Sequence, residues 1–67
     1  MSELEAFRHE VETFLRTYNW SPTRFGRAAA KDQMFVFQLR TGREPRSGVR
    51  HRVRSFMEQA ASDEVAA

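Results

Sequence analysis

The chain has 67 residues, 40% of them hydrophobic and 30% charged, with a formal net charge of +2. A chain of this size has room for one domain with a modest core, burying only ~60% of the surface its unfolded form exposes. Cysteine is absent, which excludes disulfides and thiolate metal sites, and two histidines, His9 and His51, are too few to form a metal cluster alone.

Four helices are expected in chain order. The first spans about residues 3–17, where Leu4, Phe7, Val11, Phe14 and Tyr18 recur at alternating steps of three and four and Leu15 widens the stripe. The second spans about 22–30. Ser21 is placed to cap it, Pro22 needs no N–H at the first helical position, and Trp20 and Phe25 have the spacing of a hydrophobic staple. The third spans about 33–41, with Asp32 as its cap and Gly42 able to take the left-handed conformation that ends it. Arg43-Glu44-Pro45-Arg46 reads as a loop, because Pro45 biases Glu44 away from helix. Ser47 then caps a fourth helix, about 48–60, with Val49, Val53, Phe56, Met57 and Ala60 on one apolar face; residues 61–67 read as a frayed acidic tail. The expected fold is all-α, a compact bundle of four short helices in a single domain over residues 1–60.

The charge is unevenly distributed. Residues 1–15 hold four acids against Arg8, net −3, and residues 55–67 hold three acids and no base, again −3. Between them, residues 16–54 carry ten bases against Asp32 and Glu44, net +8, and nine of those bases are Arg. Arginine suits bidentate contact with phosphate and guanine, so the block points to a polyanion, nucleic acid above all, rather than to a merely solvated surface.

The central helices have the spacing of a helix-turn-helix. Close approach of the second helix to the third demands a small residue midway, and Gly26 supplies it where glycine otherwise costs up to ~1 kcal/mol relative to alanine. Ala30 is the small residue in the turn, and Phe35, Val36 and Leu39 point back to the core. With the loop Gly42-Arg43-Glu44-Pro45-Arg46 and a further helix after it, residues from about Ser21 to Met57 resemble the lambda-repressor/Cro-like (XRE-type) helix-turn-helix family. The sequence departs from that family's pattern at Lys31, where an apolar residue is usual, and at Ala30, where glycine is usual.

The resemblance implies that residues 32–41 form a recognition helix in the major groove of duplex DNA. Its outer arc would carry the base contacts: Gln33, Met34, Phe37, Gln38, Arg40 and Thr41. Gln33 or Gln38 would pair with adenine N6/N7, Arg40 with guanine O6/N7, and Met34 and Phe37 would pack on thymine methyls. Arg24, Arg27, Lys31, Arg43, Arg46 and Arg50 would contact phosphates, with Ser21, Thr23 and Ser47 at helix starts. For Ser21 and Ser47, capping alone is the stronger reading. Met34 and Phe37 have two other possible places: a protein-binding groove, or the core if the helix is rotated.

The expected role is a noncatalytic transcription regulator, since neither the histidines nor the acids form a paired site. No cofactor, metal, membrane or small-molecule ligand is expected, and a homodimer or companion regulatory protein would supply further contacts. A protein-binding adaptor and a sequence-indifferent nucleic-acid binder are the alternatives. Met1-Ser2-Glu3-Leu4-Glu5 lacks the features of a signal peptide and no apolar run approaches ~20 residues, so a cytoplasmic, nucleoid-associated chain is expected.

Overall fold

Ser2 starts the first helix, its hydroxyl accepting a hydrogen bond from the Glu5 N–H at 3.1 Å and so satisfying a donor that has no partner inside the helix. From there α1 runs Glu3–Tyr18 in a computed structural model that describes residues 2–66. Phe7, Val11, Phe14 and Leu15 are buried along one face, with Leu4 and Tyr18 packed beside them. The helix ends at Asn19, whose φ of 56° is left-handed, a conformation that a short polar side chain tolerates. The Trp20 N–H then closes the end by donating to the Leu15 carbonyl at 3.0 Å.

The second helix begins as its sequence requires. The Ser21 hydroxyl accepts from the Arg24 N–H at 3.1 Å, Pro22 takes the first position, and α2 runs Pro22–Phe25. The staple is formed: the Trp20 and Phe25 rings meet edge to face, centroids 6.4 Å apart.

The chain continues without a break into a π-helical stretch, Gly26–Ala30, that the residue pattern did not anticipate. The N–H groups of Lys31 and Asp32 both reach back to the Gly26 carbonyl. This wider turn takes up an extra residue, so the left-handed position falls on Lys31, φ 55°, one past Ala30. It also lays the Asp32 backbone directly on Gly26, where an added Cβ would overlap the Asp32 carbonyl oxygen. Glycine is required here by close approach.

Asp32 is not the cap of α3, whose N-cap is Met34 with no side-chain bond; its Oδ1 instead accepts from the Met34 N–H at 2.9 Å, an Asx-type turn that leads into the helix. The regular part of α3 is shorter than expected, Phe35–Arg40, because residues 33–34 form a turn leading into it. Gly42, φ 96°, ends the helix: its N–H donates to Leu39 and that of Arg43 to Gln38, each at 3.1 Å. This pair of bonds is the Schellman arrangement that a left-handed glycine permits.

Two expectations for the last helix need correction. First, α4 runs Ser47–Ala66, so Ser47 is its first residue rather than its cap; the Arg46 carbonyl accepts the first helical bond, from the Arg50 N–H at 3.0 Å. Second, the helix does not stop at Ala60. Alanines at 60 and 61 favour continuation, and the Gln59 side chain donates to Asp63 Oδ1 across one turn at 3.2 Å. Residues 61–66 are therefore helical, and Ala67 lies outside the described residues.

The fold is all-α, four helical segments with no strand among the described residues, and measures 34 × 23 × 21 Å. One core joins Phe7, Val11, Phe14 and Leu15 of α1 to Phe25, Ala29, Phe35, Val36 and Leu39 of the central segments and to Val53 and Met57 of α4. Phe14, Trp20, Phe25 and Phe56 form an aromatic knot at the junction of α1, α2 and α4.

Candidate nucleic-acid interface

The inner arc of α3 fixes what its outer arc presents. Phe35, Val36 and Leu39 are 7%, 0% and 1% exposed, whereas Met34 and Phe37 are 47% and 38% exposed. The helix is therefore not rotated, and Met34 and Phe37 lie outside the core. They occupy the middle of the exposed face, since the buried residues opposite them take up the other half of the wheel.

An arginine holds each glutamine beside this apolar centre. Arg27, on the π-helical stretch, donates to Gln33 Oε1 at 3.0 Å. Arg43, just past the end of α3, donates to Gln38 Oε1 at 2.8 Å. Gln38 and Arg43 also line a groove of about 310 Å³, where the turn at Ala30–Asp32 faces Arg46 and Val49. Lys31 and Arg46 are exposed, and neither forms an ion pair among the described residues.

The other two candidates for base contact are engaged elsewhere. Arg40 reaches across to α1 and donates two hydrogen bonds to the Glu12 carboxylate, at 2.7 and 2.9 Å, its guanidinium 5.9 Å from the Phe37 ring centroid. That bidentate bond holds the Glu12 carboxyl below its usual range, against the opposing effect of partial burial, and raises Arg40 in turn. The Thr41 hydroxyl donates to the Gln38 carbonyl at 2.7 Å and so finishes the helix.

The remaining phosphate candidates divide similarly. Arg24 is exposed and stacks 3.8 Å over the Trp20 ring, Ser21 caps α2, and Thr23 is half-buried. Arg50 is turned inward: it donates to the Pro45 carbonyl at 2.8 Å and lies 4.0 Å from Glu3 and 3.9 Å from Glu44. Arg54, which the sequence did not single out, bonds Glu10 at 2.8 Å and Glu3 at 2.9 Å, pairs that raise its own pKa. Nothing local marks Glu12 or Glu10 as partners, for each lies 28 or 44 residues from its arginine.

Among the described residues, no helix is long and apolar enough to cross a membrane, and no group of three His, Cys, Asp or Glu side chains could hold a metal ion. Compared with known proteins, the chain matches no family model, no curated protein and no solved structure.

Proposed function

We propose that the protein binds duplex DNA sequence-specifically through residues 32–41, as a helix-turn-helix does, and serves as a transcription regulator in the nucleoid. The observation that supports this best is the sorting of the arginines around α3. Carboxylates from α1 engage Arg40 and Arg54, while Arg27 and Arg43 hold neutral amides and keep their charge available to an anion. Those two, with the exposed Lys31 and Arg46, place positive charge around the exposed Gln33 and the half-buried Gln38. Phosphate contacts of this kind fix register, and base edges decide sequence.

A 67-residue chain reaches few phosphates, so a second copy or a companion protein would complete the affinity. The role is binding rather than catalysis.

Selection from a randomised duplex pool, followed by salt titrations, tests the reading. Wild type should enrich a defined site. Gln38→Ala should relax one position of it. Arg46→Ala should weaken all sequences alike and reduce the salt slope by roughly one. Equal affinity for every duplex would leave a sequence-indifferent binder. The exposed Met34 and Phe37 favour a second reading, a protein-binding adaptor, and absence of DNA binding even at low salt would select it.

A further inference from the structure

We propose that Trp20 is a positioning residue for Arg24, holding its guanidinium flat and uncommitted as a clamp for a backbone phosphate of duplex DNA. The proposal rests on the DNA-binding reading above and adds one contact, on α2, to those around α3.

A guanidinium grips phosphate through two parallel N–H donors that lie in its own plane. A partner that accepts those donors orders the arginine but uses them up, and a carboxylate cancels its charge as well. Arg40 spends two donors on Glu12 in this way, and Arg50 one on the Pro45 carbonyl. An aromatic face attracts the cation and takes no donor. Arg24 Cζ stands 3.8 Å from the Trp20 ring centroid. A nitrogen turned at the ring from there would come within about 2.5 Å of it, well inside the ~3.5 Å of van der Waals contact. The guanidinium therefore lies along the ring, its N–H groups directed sideways rather than into it. No hydrogen bond or ion pair among the described residues engages this side chain; only the backbone N–H of Arg24 is used, by Ser21.

The ring is itself fixed. Trp20 packs against Phe14, Phe25 and Phe56, with centroids 5.9, 6.4 and 5.6 Å away, while Arg24 is exposed. Arg27 follows three residues later on the same helical stretch, so the two arginines are neighbours on its surface. Arg27 in turn holds Gln33, at the start of the proposed reading segment. No Asp or Glu occurs between residues 13 and 31, so an anion at Arg24 meets no carboxylate from that stretch of chain.

The test is a double-mutant cycle on a duplex enriched by wild type, read as affinity and salt slope, with the melt of each variant measured first. Arg24→Ala should weaken binding and lower the slope by roughly one. Trp20→Leu leaves the charge but frees the arginine. It should weaken binding about two- to fivefold at an unchanged slope, and should add nothing on top of Arg24→Ala. Trp20→Phe, which keeps an aromatic face, should bind close to wild type. Arg24→Lys keeps the charge without the flat fork, so it should hold the slope and lose affinity; it leaves the packing of Trp20 untouched and decides the matter if Trp20→Leu does not fold. Equal weakening by Trp20→Leu with and without Arg24 would make the tryptophan merely structural, and wild-type affinity in Arg24→Ala or Arg24→Lys would remove the clamp; either overturns the proposal. So would duplex that brings wild-type Trp20 emission to the level of Arg24→Ala, the mark of a guanidinium drawn off the ring. Failure of wild type to hold any duplex at low salt would instead remove the DNA-binding reading on which the proposal stands.

Discussion

Arg40 and Arg43 stand three positions apart at the end of one helix, yet they have opposite partners. Arg40 faces a carboxylate that neutralises it; Arg43 faces an amide that leaves its charge intact. The same contrast separates Arg54 from Arg27. The lesson is that a block of +8 along the chain is not the field presented at the surface. Carboxylates of α1 neutralise Arg40 and Arg54, while Arg27 and Arg43 keep their charge. Ion pairs this exposed contribute little to stability, ~0–1 kcal/mol each. Their effect is on where the positive potential lies.

The largest expected effect comes from breaking the amide side at its support. Gly26→Ala would drive a methyl group into the Asp32 carbonyl, displacing the turn that carries Gln33 relative to Arg27. A helix-propensity gain of up to ~1 kcal/mol offsets only part of this. A net loss of about 1–3 kcal/mol is expected, from a total of roughly 3–10 kcal/mol for a chain this long. Urea or thermal unfolding followed by circular dichroism would measure it, and an unchanged melt would contradict the close approach.

Breaking the carboxylate side should have a smaller effect. Glu12→Gln removes the partner of Arg40 and should cost at most ~1 kcal/mol, while releasing a positive charge that should steepen the salt dependence of the proposed DNA binding. The pH dependence has a definite sign. Because Arg40 lowers the folded-state pKa of Glu12, the stabilisation is present above the unfolded carboxylate range and is lost as pH falls through the lowered value. The melting temperatures of wild type and Glu12→Gln should therefore converge on acidification. A gap that stays constant from neutral to acid pH would count against the pair.

The smallest effect should sharpen the comparison by separating stability from affinity. Lys31 holds a left-handed φ of 55° that glycine adopts without steric cost. Lys31→Gly should gain about 0.5–1 kcal/mol in unfolding experiments and yet, under the proposed DNA binding, hold duplex more weakly, with a shallower salt slope. Unchanged or tighter binding would count against a phosphate contact at Lys31, and a loss of stability would count against strain at its left-handed φ.

What could be read from the sequence was what depends on neighbours in the chain. Ser21-Pro22, the Trp20/Phe25 staple, Gly26 and Gly42 each signal a local arrangement, and the structure contains all of them. The spacing of Phe35, Val36 and Leu39 set the facing of α3. The π-helical stretch was not legible, because Gly26-Arg27-Ala28-Ala29-Ala30 are residues equally compatible with an α-helix. The shift depends on the Lys31 and Asp32 N–H groups meeting one carbonyl. The engagement of Arg40 was hidden for a different reason: its partner lies on another helix, and sequence spacing says nothing about pairs that only folding brings together. For α4, the acidic composition after Ala60 suggested fraying, whereas the helix-forming residues there had no breaker among them.

The sole tryptophan gives the molecule an optical reporter of its own. Trp20 lies 5.6 Å from the Phe56 ring and directly beneath the Arg24 guanidinium. Its emission therefore responds to two separate events, dispersal of the aromatic knot on unfolding and withdrawal of Arg24 toward a passing anion. The two are distinguishable without any label, because the first exposes the indole to water and shifts its spectrum to the red, while the second removes a nearby cation and changes intensity in a protein that remains folded.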